Sequence, residues 1–134
     1  MIRYIRKIEI CHARHVRTAT PLPDGLSVRL PDWAPWQPLP TVGLSSLQVT
    51  EELQNGQRIY TSRLTATLPA RFVPEQRTAL RLTDVQGRQL LVGLAERPYP
   101  LLTQEDILPE RPSEASRTQL TATWAGTHPP ILIN

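Results

Sequence analysis

The chain has 134 residues, a formal net charge of +3, 40% apolar residues and 20% charged residues. That length suits one domain, 1–134, and that balance argues against a disordered chain. Fourteen Pro against six Gly argue against helix bundles and coiled coils, because proline lacks a backbone donor and fixes φ.

The dominant period is two, the mark of strands with one buried and one wet face. At the start, Ile2, Tyr4, Ile8 and Ile10 are expected on one face, opposite Arg3, Lys7 and Glu9; Ile5 and Arg6 break the pattern. The segment 20–41 is rich in Pro and Trp and reads as an irregular loop, with Leu26 to Leu30 as its one short strand. Asn55-Gly56 lies between Leu47–Leu53 and Arg58–Leu68. Asn-Gly favours the left-handed geometry of a tight hairpin turn.

From Tyr60 to Leu68, Ser62, Leu64, Ala66 and Leu68 alternate with Thr61, Arg63, Thr65 and Thr67. Threonine suits a pleated, half-buried surface. Phe72 to Arg77 is expected to make a short turn. Asp84-Val85-Gln86-Gly87 predicts a second hairpin, Thr78 to Thr83 with Arg88 to Leu94, since Asp opens such turns and Gly supplies positive φ. The segment 96–116, with Pro98, Pro100, Pro109 and Pro112, reads as a second irregular loop. Within it, Thr103-Gln104-Glu105-Asp106 has the cap and acids of one helical turn. Thr118, Leu120, Ala122 and Trp124 alternate again, which places Trp124 in the core, and Ile131 to Ile133 reads as a short terminal strand.

Several candidate sites have simpler readings beside them. Cys11, His12 and His15 are the only cluster of metal-ligand side chains near one another in sequence. On a continuous strand Cys11 and His15 share one face and His12 takes the other, one fewer than the four ligands of a closed zinc site even with His128 added. Cys11 beside His12 makes no nucleophile–base pair for the same reason, and a buried, inert thiol is the simpler reading. Glu51-Glu52 and Glu105-Asp106 read as solvated charge. No Gly-x-Ser-x-Gly elbow and no Gly-rich phosphate loop occur. Catalytic, metal and cofactor residues are therefore expected to be none.

The positive balance comes from Arg spread between Arg3 and Arg117, with Lys7 the single Lys. Spread charge reads as solubility and ion pairing, whereas nucleic-acid binding needs a dense patch with aromatics between the cations. Tyr4 beside Arg3 and Arg6 is the one place that fits. Trp33 and Trp36, held extended by neighbouring prolines, are candidate anchors for a partner's pocket, and Tyr99 in Arg97-Pro98-Tyr99-Pro100 is a third. The plainer reading has these rings covering the sheet.

From Tyr60 to Asn134 the chain resembles small all-β structural proteins of prophages and related elements in Bacteroides-type bacteria. The residues that carry the likeness are Tyr60-Thr61-Ser62-Arg63-Leu64-Thr65-Ala66, the hairpin Arg81 to Leu94, Glu96-Arg97-Pro98-Tyr99-Pro100, and Trp124 followed by His128-Pro129-Pro130-Ile131-Leu132. The resemblance implies a virion assembly part, of tail or neck, that binds other protein subunits and has no active site. The Pro- and Trp-rich N-terminal half lies outside it.

The expected fold is all-β: a small antiparallel sandwich or barrel with two long Pro-rich loops and little helix. The expected function is a non-enzymatic structural subunit that contacts protein subunits, copies of itself included, through Trp33, Trp36 and Tyr99. A small barrel that binds nucleic acid or a small ligand is the alternative. The single Cys11 fits a reducing compartment. No signal peptide and no apolar run of bilayer length is visible, so the expected place is the cytoplasm or a virion-like particle.

Overall fold

The computed structural model describes residues 2–16, 20–21, 27–29, 35–73, 77–94, 98–107, 117–126 and 129–133. These build one hydrogen-bonded sheet. Its strands are β1 (Ile2–His12), β2 (Thr20–Pro21), β3 (Ser27–Arg29), β4 (Gln37–Leu39), β5 (Ser45–Gln54), β6 (Gln57–Leu68), β7 (Thr78–Asp84), β8 (Gln89–Val92), β9 (Leu101–Ile107), β10 (Arg117–Gly126) and β11 (Ile131–Ile133). The spatial order is β2-β3-β11-β8-β7-β1-β5-β6-β10-β9, with β4 on β1. Every pairing is antiparallel except β3 with β11. The path has two ends, so the sheet is open and folds over as a sandwich; it is not a closed barrel. One 3-10 turn, Ala13–Val16, is the helical structure among the described residues, and no helix there is long and apolar enough to cross a membrane.

Both expected hairpins form. Asn55 and Gly56 hold φ of 51° and 77°, the double left-handed pair of a type I′ turn whose twist matches its strands. In the second hairpin, Asp84 Oδ1 accepts the backbone N–H of Gln86 and of Arg88, each at 2.9 Å. Gly87 follows at φ 86°.

β1 is the hinge of the sandwich. On one side Ile2 to Ile5 pair with β5, and Ile8 to Ile10 pair with β4. On the other side its register with β7 shifts between Ile5 and Lys7, leaving Arg6 as the extra residue of a β-bulge. A one-residue insertion reverses which side chains face the core. Ile5 and Ile8 are therefore both buried, while Ile2 and Tyr4 stay exposed. This corrects the expectation that Ile2, Tyr4, Ile8 and Ile10 share a face.

The main core joins the two leaves of the folded sheet. Leu47, Leu64, Leu68, Leu120 and Trp124 from β5, β6 and β10 meet Leu80, Leu82, Leu90 and Val92 from β7 and β8. A second cluster, Cys11, Val16, Ala79 and Leu91, lies on the far side of β7 and β8, which are buried on both faces. Full burial of each Leu stabilises the fold by roughly 1.5–3 kcal/mol.

Two further expectations are corrected. The segment 96–116 is not wholly irregular: Leu101–Ile107 is a strand, and Thr103 to Asp106 pair along β10 instead of forming a helical turn. β10 supplies a ladder of unpaired backbone groups, and satisfying it outweighs the local preference of Thr and the acids for a helix start. The segment 20–41 likewise holds β2, β3 and β4; of these, β3 falls within the expected strand. Within Phe72 to Arg77, Pro74 to Gln76 lie outside the described residues.

Candidate docking surface

Trp33 lies outside the described residues. Trp36 is half-buried and packs on the second cluster. The Arg81 guanidinium carbon sits 4.9 Å from its ring centroid, a cation–π distance, and the indole Nε1 is buried with no hydrogen-bond partner among the described residues. In this placement the indole covers β7. Tyr99 is half-buried, with the Arg77 guanidinium carbon 5.7 Å from its ring centroid. Trp124 is in the core, and its Nε1 donates to the Pro98 carbonyl at 3.0 Å.

The strand that was expected to run through Cys11 to His15 ends at His12. The 3-10 turn then brings the His15 ring to 6.5 Å from that of His12, edge to face. His12 Nδ1 accepts the Arg14 backbone N–H at 3.1 Å, and His15 Nε2 accepts from Arg14 Nε at 3.5 Å. These side chains line a cleft of about 260 Å³. Cys11 is buried. Among the described residues no group of three His, Cys, Asp or Glu side chains gathers as a metal site.

A different feature projects from the sheet. β5 leaves β1 after the pair Ile2↔Gln48, and β6 leaves β10 after Tyr60↔Gly126. Beyond those points β5 and β6 pair only with each other among the described residues, as far as Gln54↔Gln57. The two-stranded part runs from Glu52↔Ile59 to Gln54↔Gln57, since Val49 to Glu51 pair with β6 residues still bonded to β10; it extends roughly 10 Å at about 3.3 Å per residue. Glu51 to Arg58 are exposed throughout. A free two-stranded ribbon is marginal in water. Here the I′ turn and the 2.6 Å Arg58 Nη1–Glu51 Oε1 ion pair brace it. Leu53 stands near its tip, 69% exposed.

Beside the root of this arm, the first half of β1 and the β7–β8 turn form a cleft of about 300 Å³. Ile2 (60% exposed), Tyr4 (58%) and Val85 (53%) give it an apolar lining. Leu44, 60% exposed, comes just before β5, two residues ahead of Ser46, the partner of Tyr4. Arg3 and Arg88 flank the cleft. Its one carboxylate, Asp84, is buried and already committed: Arg3 Nη1 donates to its Oδ2 at 3.3 Å, and two backbone N–H groups hold Oδ1. Arg6 Nε donates to the Asp84 carbonyl at 3.2 Å. The cleft therefore presents three exposed apolar side chains beside two cations and one buried, paired carboxylate, a mixture suited to an interaction site.

Reading the sequence alone missed both the arm and the cleft. The arm has a faint signal: between Val49 and Ile59 only Leu53 is apolar, so those strand residues have no core to face. No protein-family model, no curated protein and no solved structure matches the chain.

Proposed function

We propose that this chain is a non-enzymatic assembly subunit that works through protein–protein contacts. In line with the resemblance of residues 60–134, it is a tail or neck component of a phage-derived particle. The observation that supports this best is the β5–β6 arm, whose residues 51–58 are exposed on both faces. Its exposed Leu53 adds nothing to either buried cluster. A ribbon of this kind gains its packing from another molecule. The open edge of β9, bonded to β10 alone among the described residues, offers a further contact of the same class.

The test is a shortened arm that lacks Leu53, Gln54, Gln57 and Arg58, so that Asn55-Gly56 closes on the Glu52↔Ile59 pair. Removing two residues from each strand keeps the register. Light scattering is run on the chain alone and on the chain co-expressed with the products of its neighbouring genes. The shortened chain is expected to keep its circular dichroism and lose its assembled mass. Unchanged assembly in both settings would refute the proposal.

A further inference from the structure

We infer that Asn55-Gly56, at the tip of the arm, is a site of non-enzymatic covalent modification. The asparagine cyclises onto the glycine nitrogen, loses ammonia and becomes aspartate or isoaspartate. The inference goes beyond the assembly reading and does not rest on it. The sequence holds a single Asn-Gly pair, and the fold sets it in the open. Every residue from Glu51 to Arg58 is exposed. Nothing lies within 4 Å of where a Cβ on Gly56 would sit, so no other segment crowds the turn. The last ladder pair is Gln54↔Gln57, which leaves the Gly56 N–H outside the ladder.

Glycine is the neighbour this chemistry needs, because it has no Cβ to hinder its own nitrogen. A solvent base takes the Gly56 amide proton. The nitrogen then bonds to Asn55 Cγ, and the side-chain NH2 leaves as ammonia with a proton from water. Water next opens one of the two C–N bonds of the cyclic imide. Opening at Cγ leaves aspartate. Opening at the main-chain carbonyl leaves isoaspartate, with the chain routed through Cβ and Cγ. No oxidant or reductant takes part.

Closing the ring swings the Asn55–Gly56 peptide out of the I′ geometry, so the turn must open first. Opening is cheap here. Beyond the wider sheet only Glu52↔Ile59, Leu53↔Arg58 and Gln54↔Gln57 hold the tip, and so short a ribbon is marginal in water. Isoaspartate adds a backbone methylene where a two-residue turn fixes the register. The modified tip therefore cannot re-form its turn, and the ribbon loosens from Gln54↔Gln57 inward.

The test ages the full chain in warm, mildly alkaline buffer and reads the peptide around Asn55 by mass spectrometry. The mass gain of an amide-to-acid conversion is expected there, with isoaspartate detected by methyltransferase labelling. Its rate is expected to be at least about one-tenth of that of the same chain unfolded in urea. Arg58→Ala, which removes the 2.6 Å ion pair to Glu51, is expected to speed the gain about two- to fivefold. Asn55→Gln, whose ring would be one atom larger, is expected to suppress it. Amides of residues 51–58 are expected to exchange faster in the aged chain than in the fresh one, with β7 unchanged. A native chain that converts more slowly than that bound, a rate unmoved by Arg58→Ala, a gain that persists in Asn55→Gln, or an aged arm that exchanges no faster than the fresh one would each overturn the inference.

Discussion

Arg81 grips Glu9 at two points: Nε donates to Oε1 at 3.0 Å and Nη2 to Oε2 at 2.6 Å. The two residues face each other directly across the β1–β7 ladder, and Trp36 stacks on the guanidinium. The Glu9 side chain is buried and that of Arg81 half-buried. The pair therefore fastens the bulged half of β1, the centre of the sheet and the β4 approach at one place.

Breaking this pair from one side leaves the buried Glu9 carboxylate with the exposed Lys7 ammonium, 4.0 Å from Oε1, as its remaining cation. Arg81→Ala is expected to cost about 3 kcal/mol, the low end of the range for a buried ion that loses its partner. Replacing both partners, with Glu9→Leu and Arg81→Leu, is expected to recover most of that loss. Urea unfolding of the three variants checks both statements. A double variant as unstable as Arg81→Ala would show that the Trp36 stacking, and not the stranded carboxylate, carries the effect.

Two glycines with similar backbones are expected to answer differently. Gly87 (φ 86°) opens onto free space, so Gly87→Ala costs only the left-handed strain, about 1 kcal/mol. Gly93 (φ 104°) has the Pro100 ring 3.0 Å from where a Cβ would sit, with the Ala79 Cα at 3.4 Å. Gly93→Ala adds overpacking, and the total loss is expected at roughly 2–4 kcal/mol. Thermal melts of the two variants should be separated by several degrees. Equal melts would mean that the Pro100 segment moves aside freely.

What the sequence made legible follows the range of the forces involved. The two hairpins depend on Asn55-Gly56, Asp84 and Gly87, residues that set their own turns, so pattern and turn chemistry sufficed. β10 and its Trp124 were legible because a one-faced strand alternates cleanly. β9 was not, since Leu101 to Ile107 carries no alternation, and β10 makes it a strand. Trp36 meets Arg81, far along the chain, so local pattern leaves open whether a proline-held tryptophan covers its own sheet or meets a partner. The arm is defined by where β1 and β10 stop, which no local window contains.

Trp124 ties the segment before β9 to the core through one bond, Nε1 to the Pro98 carbonyl. Trp124→Phe keeps most of the buried ring and removes that donor. The expected loss is about 1 kcal/mol for the bond, plus a smaller term for the lost volume. The readable consequence is local. Amides of β9 are expected to exchange faster than those of β7, whose ladder does not lean on Pro98. Equal acceleration in both strands would mean that Trp124 acts only through the general core.

The bulge at Arg6 gives the most severe expectation. Between Ile5 and Lys7 it lets Ile5 and Ile8, three positions apart, face the same core. Deleting Arg6 makes β1 continuous, and strict alternation then allows only one half of the strand to keep its face. Either Ile5 turns out to solvent or the Ile8 half does, carrying Glu9 into the apolar side away from Arg81. Loss of one fully buried Ile costs about 2–5 kcal/mol, and burying an unpaired carboxylate costs several more. Together these match or exceed the lower part of the range of total stability for a domain. The deletion is therefore expected to abolish cooperative unfolding, whereas Arg6→Ala, which keeps the extra residue and removes only the bond to the Asp84 carbonyl, is expected to melt within a few degrees of the wild type. A deletion variant that melts like the wild type would mean that β1 reaches both faces without the inserted residue.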